Sequence, residues 1–215
     1  MATPEQISQY QQKWQNAVDT VFADIDAEGW KKEKTHKGVD IYLRHDKSSS
    51  FAQVKSIVTI DAPIGKVEEN LKTVKPVDHS TPKHEGEGNL ERRLIPAGDG
   101  TDCMGFFYVV VESPSSLVSP REFLTFQRMI HKDNKIALVR TSIENDEIQK
   151  PQKGYVRGNM FFQAFVVEPE GDKSKLTFIV HADPCGKVPS AIYNSAATGQ
   201  GMSALHIKEE VEGQK

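Results

Sequence analysis

The stretch KLTFIVHADPCGKVPSAIYNSAATGQGMSALHIKEEV, Lys175 to Val211, contains the change of period that decides the fold. From Leu176 to Asp183 apolar and polar residues alternate, with the β-branched and aromatic content of a strand. After Gly186 the alternation stops. Pro189 stands at a helix start, and no Gly-Pro or Asn-Gly breaker intervenes before Val211. The pattern predicts a final strand followed at once by a long C-terminal helix. On that helix Tyr193, Ala197, Gln200 or Gly201, and Ala204 fall on one stripe, mostly of very small residues. Small residues leave room for a ligand, and they equally suit close packing of a helix on a sheet.

Working upstream, period-two patterns predict strands at Leu90–Ile95, Met104–Val111, Glu122–His131, Ile136–Glu144 and Tyr155–Glu168. Three further strands are predicted at Trp30–His36, Val39–Arg44 and Phe51–Ile60, giving about nine in all. Two helices lie among them. Thr3-Pro4 with Gln6 has the form of a capping box, and Ile7, Tyr10, Trp14, Val18, Val21 and Ile25 make an apolar stripe that Gly29 can stop. Ile64, Val67, Leu71 and Val74 form a second stripe, ending before Pro76. The fold class is therefore α+β: an antiparallel sheet with helices at both ends of the chain and one within it.

Composition narrows the function classes. The 215 residues carry no Gly/Ser or Pro linker, so one domain is expected over 1–215. Thirty acidic against 27 basic residues leave a formal charge of −3, with no general attraction to nucleic acid. The longest apolar run, Met104–Val111, is too short for a membrane-crossing helix. The polar start Met-Ala-Thr-Pro-Glu-Gln has no signal-peptide character, and two cysteines, Cys103 and Cys185, make no disulfide framework. A cytoplasmic location is expected.

Several motifs add a resemblance. Leu117-Val118-Ser119-Pro120-Arg121-Glu122-Phe123, Ser142-Ile143 and Gly154-Tyr155-Val156-Arg157 occur in that order. They are followed by Lys175-Leu176-Thr177, Ala182-Asp183, Gly186, Val188-Pro189, Ile192 and Asn194. The chain resembles the START (StAR-related lipid transfer) domain family of the helix-grip superfamily over Thr3–Val211. The resemblance implies a curved sheet gripping the C-terminal helix around a hydrophobic tunnel for one lipid, phospholipid or sterol, with Glu112–Ser119 as a lid. It implies lipid binding and transport between membranes, or lipid sensing, with transient membrane contact. No cofactor, metal or nucleic acid is expected, the protein acting as a monomer.

Strand alternation together with the resemblance assigns inward-facing residues. These are Phe123, Thr125, Gln127 and Met129, then Val139 and Thr141, then Met160, Phe162, Ala164 and Val166, then Thr177, Ile179 and His181, with Tyr108 near the polar end. The helix supplies Tyr193, Ala197, Gln200 and Ala204. On this reading Phe161 and Phe165 point outward, so either the N-terminal helix covers them or the facing is reversed there. Sterol- and phosphatidylcholine-binding relatives tend to place an arginine where this chain has Gln127, and their partner acid is replaced near Tyr108. The polar end of the pocket is thus expected to be neutral.

Sharper chemistry finds little support. His181, Asp183 and Ser190 do not form a triad by spacing, and no Gly-X-Ser-X-Gly elbow exists. Gly199-Gln200-Gly201-Met202-Ser203-Ala204 matches a dinucleotide fingerprint but follows no strand. His79 and His84 have no metal-ligand spacing. Asp183 is expected to pair with Arg157 as a structural contact. The alternative to a carrier is a cyclase-like pocket enzyme acting on a hydrophobic small molecule, with His181, Tyr108 or Tyr193 as acid or base. No pairing among these residues supports it, so the chain is read as non-enzymatic.

Overall fold

The computed structural model describes residues 2–45, 49–81, 88–97, 105–113 and 118–213. The capping box at Thr3 starts helix α1 (Pro4–Asp24): the Gln6 amide donates to Thr3 Oγ1, and the Thr3 amide to Gln6 Oε1. Strands β1 (Lys31–His36), β2 (Val39–Arg44) and β3 (Gln53–Ile60) follow, then α2 (Ile64–Lys72). The second half holds β4 (Asn89–Pro96), β5 (Gly105–Val111), β6 (Arg121–Lys132), β7 (Lys135–Ser142), β8 (Val156–Arg157), β9 (Asn159–Glu170) and β10 (Lys173–Asp183). Nine strands form one antiparallel sheet in the order β1-β2-β3-β10-β9-β7-β6-β5-β4, and short β8 pairs parallel to β6. This is the α+β helix-grip arrangement. Met104, at the start of one predicted strand, lies outside the described residues.

The expected single C-terminal helix is instead three segments: α3 (Ser190–Ala196), a 3-10 stretch (Ala197–Met202) and α4 (Ser203–Val211). The break coincides with Gly199 and Gly201, residues that contribute little to α-helix stability. Gly201 also serves packing. A β-carbon there would lie 3.0 Å from Ile41 Cγ2, so the backbone comes close enough to β3 for the Ser56 hydroxyl to donate to the Gly201 carbonyl.

The two faces of the sheet bury separate layers. On one, the 3-10 stretch and α4 place Ala197, Met202, Ala204, Leu205 and Val211 against β2, β3 and β10, with α2 closing the layer. On the other, α1 packs Ala17, Val18, Val21 and Ile25 on Val139, Phe162, Ala164, Val166 and Ile179. Trp14 Nε1 donates to the Val139 carbonyl at 3.0 Å, fixing α1 against β7. The tight turn Asp133-Asn134, with φ of +50° and +60°, sets the β6–β7 register so that Gln127 stands opposite Arg140.

Candidate functional site

The face under the C-terminal segments is incompletely filled. A cavity of about 360 Å³ lies between β6, β9, β10 and the helical segments, and its wall includes Phe123, Met160, Phe178, Val180, Tyr193 and Gln200. A second of about 150 Å³ continues towards α2, β5 and β7, bounded by Leu71, Phe107, Val109, Leu138, Arg140 and Phe165. Asn89, Val111, Met160, Gln163, Ser203 and His206 border both, so the two chambers adjoin. The wall of the larger chamber is mainly apolar, which suits shelter of hydrocarbon from water.

The sequence-selected residues do not all reach this space. Phe123, Met160, Tyr193 and Gln200 border the larger chamber. Thr125 and Gln127 share the Phe123 side of β6, but Thr125 donates to the Phe107 carbonyl, Gln127 accepts from Arg140 Nε, and neither borders a chamber. Ala197 and Ala204 belong to the packed layer against the sheet rather than to the cavity wall. The stripe of small residues is thus a packing surface. The helix faces the cavity through Ala196, Gly199, Gln200, Ser203 and His206.

The facing expected for β7, for β10 and for β9 beyond Met160 is reversed. Val139, Phe162 and Ile179 are buried beneath α1, and Thr141, two residues on from Val139, donates to the Phe161 carbonyl. The His181 ring is in contact with those of Phe161 and Phe162. Two features account for the reversal. The β9–β10 register shifts between His181 and Ala182, skipping Phe161, so Met160 and Gln163 share the cavity side while Phe162 and Ala164 do not. On β7 the alternate residue is Arg140, whose charge reads as outward-facing although it is buried. Phe165 is buried on the cavity side, and Phe161 is 41% exposed at the bulge.

Tyr108 is on the α1 side of β5, in a buried polar group. Its hydroxyl donates to Glu122 Oε2 at 2.6 Å and accepts from Gln152 Nε2 at 2.9 Å. Glu122 also accepts from the Gln152 amide and lies 3.4 Å from Arg157 Nε. The expected Arg157–Asp183 pair is therefore replaced by Arg157–Glu122, while Asp183 accepts from the Cys185 amide at 2.7 Å. Burial and the Glu122 carboxylate push the Tyr108 phenol well above its ordinary range, which makes it a poor proton donor or base. Tyr193 borders the cavity; burial raises its pKa, and its hydroxyl accepts from Gln200.

Other cavity residues were missed by sequence reading. Arg121 of the strand-entry motif holds the connection from β10 to α3, donating to the carbonyls of Ser119, Pro184 and Cys185. It thereby fixes the cavity rim, and burial lowers its pKa. Arg140 and Gln163 lie deeper. The signal for Arg140 was present in the Asp133-Asn134 turn, which places it opposite Gln127 by counting outward from the loop. The segment expected to form a lid, residues 112–119, lies partly outside the described residues; Glu112, Ser113 and Val118 border the larger chamber. Cys103 and His84 lie outside the described residues, and no helix among those described is long and apolar enough to cross a membrane.

Gly158 supports the cavity wall by having no side chain. A β-carbon would fall 2.4 Å from the Phe123 ring and 3.2 Å from the Asp183 carbonyl. Gly158→Ala is expected to displace Phe123 into the larger chamber and destabilise the protein by about 1–3 kcal/mol. A thermal melt checks this, and an unchanged Tm would show that the ring can turn aside without cost.

An antiparallel sheet with C-terminal helical segments packed over a mainly apolar cavity is the arrangement of a helix-grip protein. The START domain family model matches residues 12–209, and the chain belongs to the START domain family. Among solved structures, human StAR-related lipid transfer protein 5 superposes with a TM-score of 0.77 at 19% identity, covering 96% of this chain and 98% of that one. Human STARD10 matches with a TM-score of 0.66 at 14% identity, covering 93% and 78% respectively. A fragment of a STAR-related lipid transfer protein from Xanthomonas axonopodis gives 0.68 at 18% identity, covering 86% and 99%. No curated protein sequence matches significantly.

Proposed function

We propose that the protein binds one lipid in the two-chamber space beneath its C-terminal helical segments and carries it between membranes or senses it. The observation that carries this reading is the mainly apolar chamber of about 360 Å³ continuing into a smaller one with polar residues at its end. Apolar surface removed from water is worth about 25 cal/mol per Å², so such a space can hold a lipid tail against solution. In this reading Phe123, Met160, Tyr193 and Gln200 contact the lipid, and residues 112–119 act as its lid. The protein works as a cytoplasmic monomer that touches membranes only in passing.

A carrier is preferred to a pocket enzyme because Tyr108 and His181, two of the acid–base candidates, belong to the α1 side of the sheet. Vesicle-to-vesicle transfer of labelled phospholipids, sterols, sphingolipids and fatty acids tests the proposal. Protein-dependent, saturable transfer or extraction of at least one class is expected, and none across all four would overturn it.

A further inference from the structure

The smaller chamber contains a cation that the fold does not neutralise. Arg140 lies in mid-strand on β7, 8% exposed, in a cross-strand row with Gln127 and Gln163. Its Nε donates to Gln127 Oε1 at 2.8 Å and its Nη1 to Gln163 Oε1 at 2.7 Å. The guanidinium carbon stands 3.8 Å from the centre of the Phe107 ring. These partners orient the group, yet all are neutral, and among the described residues no carboxylate pairs with it. Arg92, also on this chamber, adds a second positive charge rather than a compensating one. The chamber's acid, Glu210, is engaged by Lys75 at 3.3 Å and by Asn70 Nδ2 at 3.2 Å.

A buried, uncompensated guanidinium costs several kcal/mol unless something negative meets it. Desolvation and the Arg92 charge already pull its pKa down to about 9, so it still carries its proton at neutral pH. The remaining terminal nitrogen makes no hydrogen bond among the described residues. A guanidinium held rigidly by its other nitrogens is preorganised to meet an oxyanion, because little side-chain freedom remains to be lost. The Asn70 carbonyl oxygen, also on this chamber, is buried without a donor and could accept from a headgroup hydroxyl.

We propose that Arg140 is the headgroup-recognition residue of this chain and that the ligand is an amphiphile with one anionic oxygen group, a carboxylate or phosphate. The head lies in the smaller chamber against Arg140, and the hydrocarbon runs past Met160 and Gln163 into the larger one. This rests on the lipid-binding reading and adds the chemical class of the lipid. It also revises the expectation of a neutral pocket: the arginine absent at Gln127 is supplied by the residue opposite on the next strand.

The test uses the full chain stripped of bound lipid. Binding of oleic acid is compared with oleyl alcohol, and phosphatidate with diacylglycerol of the same chains, by displacement of a fluorescent lipid at neutral pH. At least one acid should bind about tenfold or more tightly than its neutral counterpart, a difference of about 1.4 kcal/mol. Whichever pair shows the difference separates carboxylate from phosphate. In Arg140→Gln the acid should lose that advantage, its affinity falling much further than that of the neutral counterpart, and Arg140→Lys should recover part of it. Equal wild-type binding of acid and neutral partner in both pairs overturns the proposal without any variant, and so does an equal loss of both in Arg140→Gln. If only neutral lipids bind, lipid binding stands and the anionic assignment fails. If nothing binds, both fail.

Discussion

Ser203→Trp is expected to abolish lipid uptake while leaving the protein folded, whereas the same change one residue later is expected to damage the fold. Ser203 borders both chambers, so an indole there occupies their junction and blocks the path between them. Affinity for any extracted lipid should fall by more than about tenfold, equivalent to over about 1.4 kcal/mol. Stability should change little, because the new side chain enters space that is already empty. Ala204 has no exposure and packs between the sheet and α2. A tryptophan there overpacks a filled layer, at about 1–3 kcal/mol or more. Lipid binding by Ser203→Trp at wild-type strength would refute the location of the site.

The largest effect on stability is expected at Glu122. This carboxylate is fully buried, bonded to Tyr108 and the Gln152 amide and paired with Arg157. Glu122→Ala leaves the Arg157 charge and the Tyr108 hydroxyl without their partner. Removing one member of a buried ion pair costs about 3–5 kcal/mol. For a chain of this length each kcal/mol shifts Tm by about 2–4 °C, so the melt should fall by at least about 6 °C. Glu122→Gln retains an acceptor and should lose less. Because the group is on the α1 side of the sheet, Glu122→Gln should not alter lipid preference. A change in preference at unchanged stability would mean that Tyr108 and Glu122 reach the ligand after all.

The order of elements and the family could be read from local features: a capping box at Thr3, alternation along the strands, and a switch of period after Gly186. Such signals need only neighbouring residues. The facing of β7, β9 and β10 could not be read that way, because one bulge at Phe161 reverses parity along the rest of β9. Arg140 misled for a different reason. Charge ordinarily marks the wet face of a strand, and here it marks a buried site. The C-terminal stripe shows the limit set by packing: Ala197, Gly201 and Ala204 are small because the sheet comes close, while the space opens beside Ser203 and His206. Filled and empty volume call for the same residue types, so composition cannot separate them.

The direct test of a lipid held between the sheet and the C-terminal segments is native mass spectrometry of the protein purified under mild conditions from a eukaryotic lysate, beside Ser203→Trp prepared identically. A single lipid bound at one-to-one stoichiometry to the wild-type chain, and missing from the variant, is the predicted result. Wild-type protein free of lipid, or both proteins carrying the same lipid in equal amount, would contradict it.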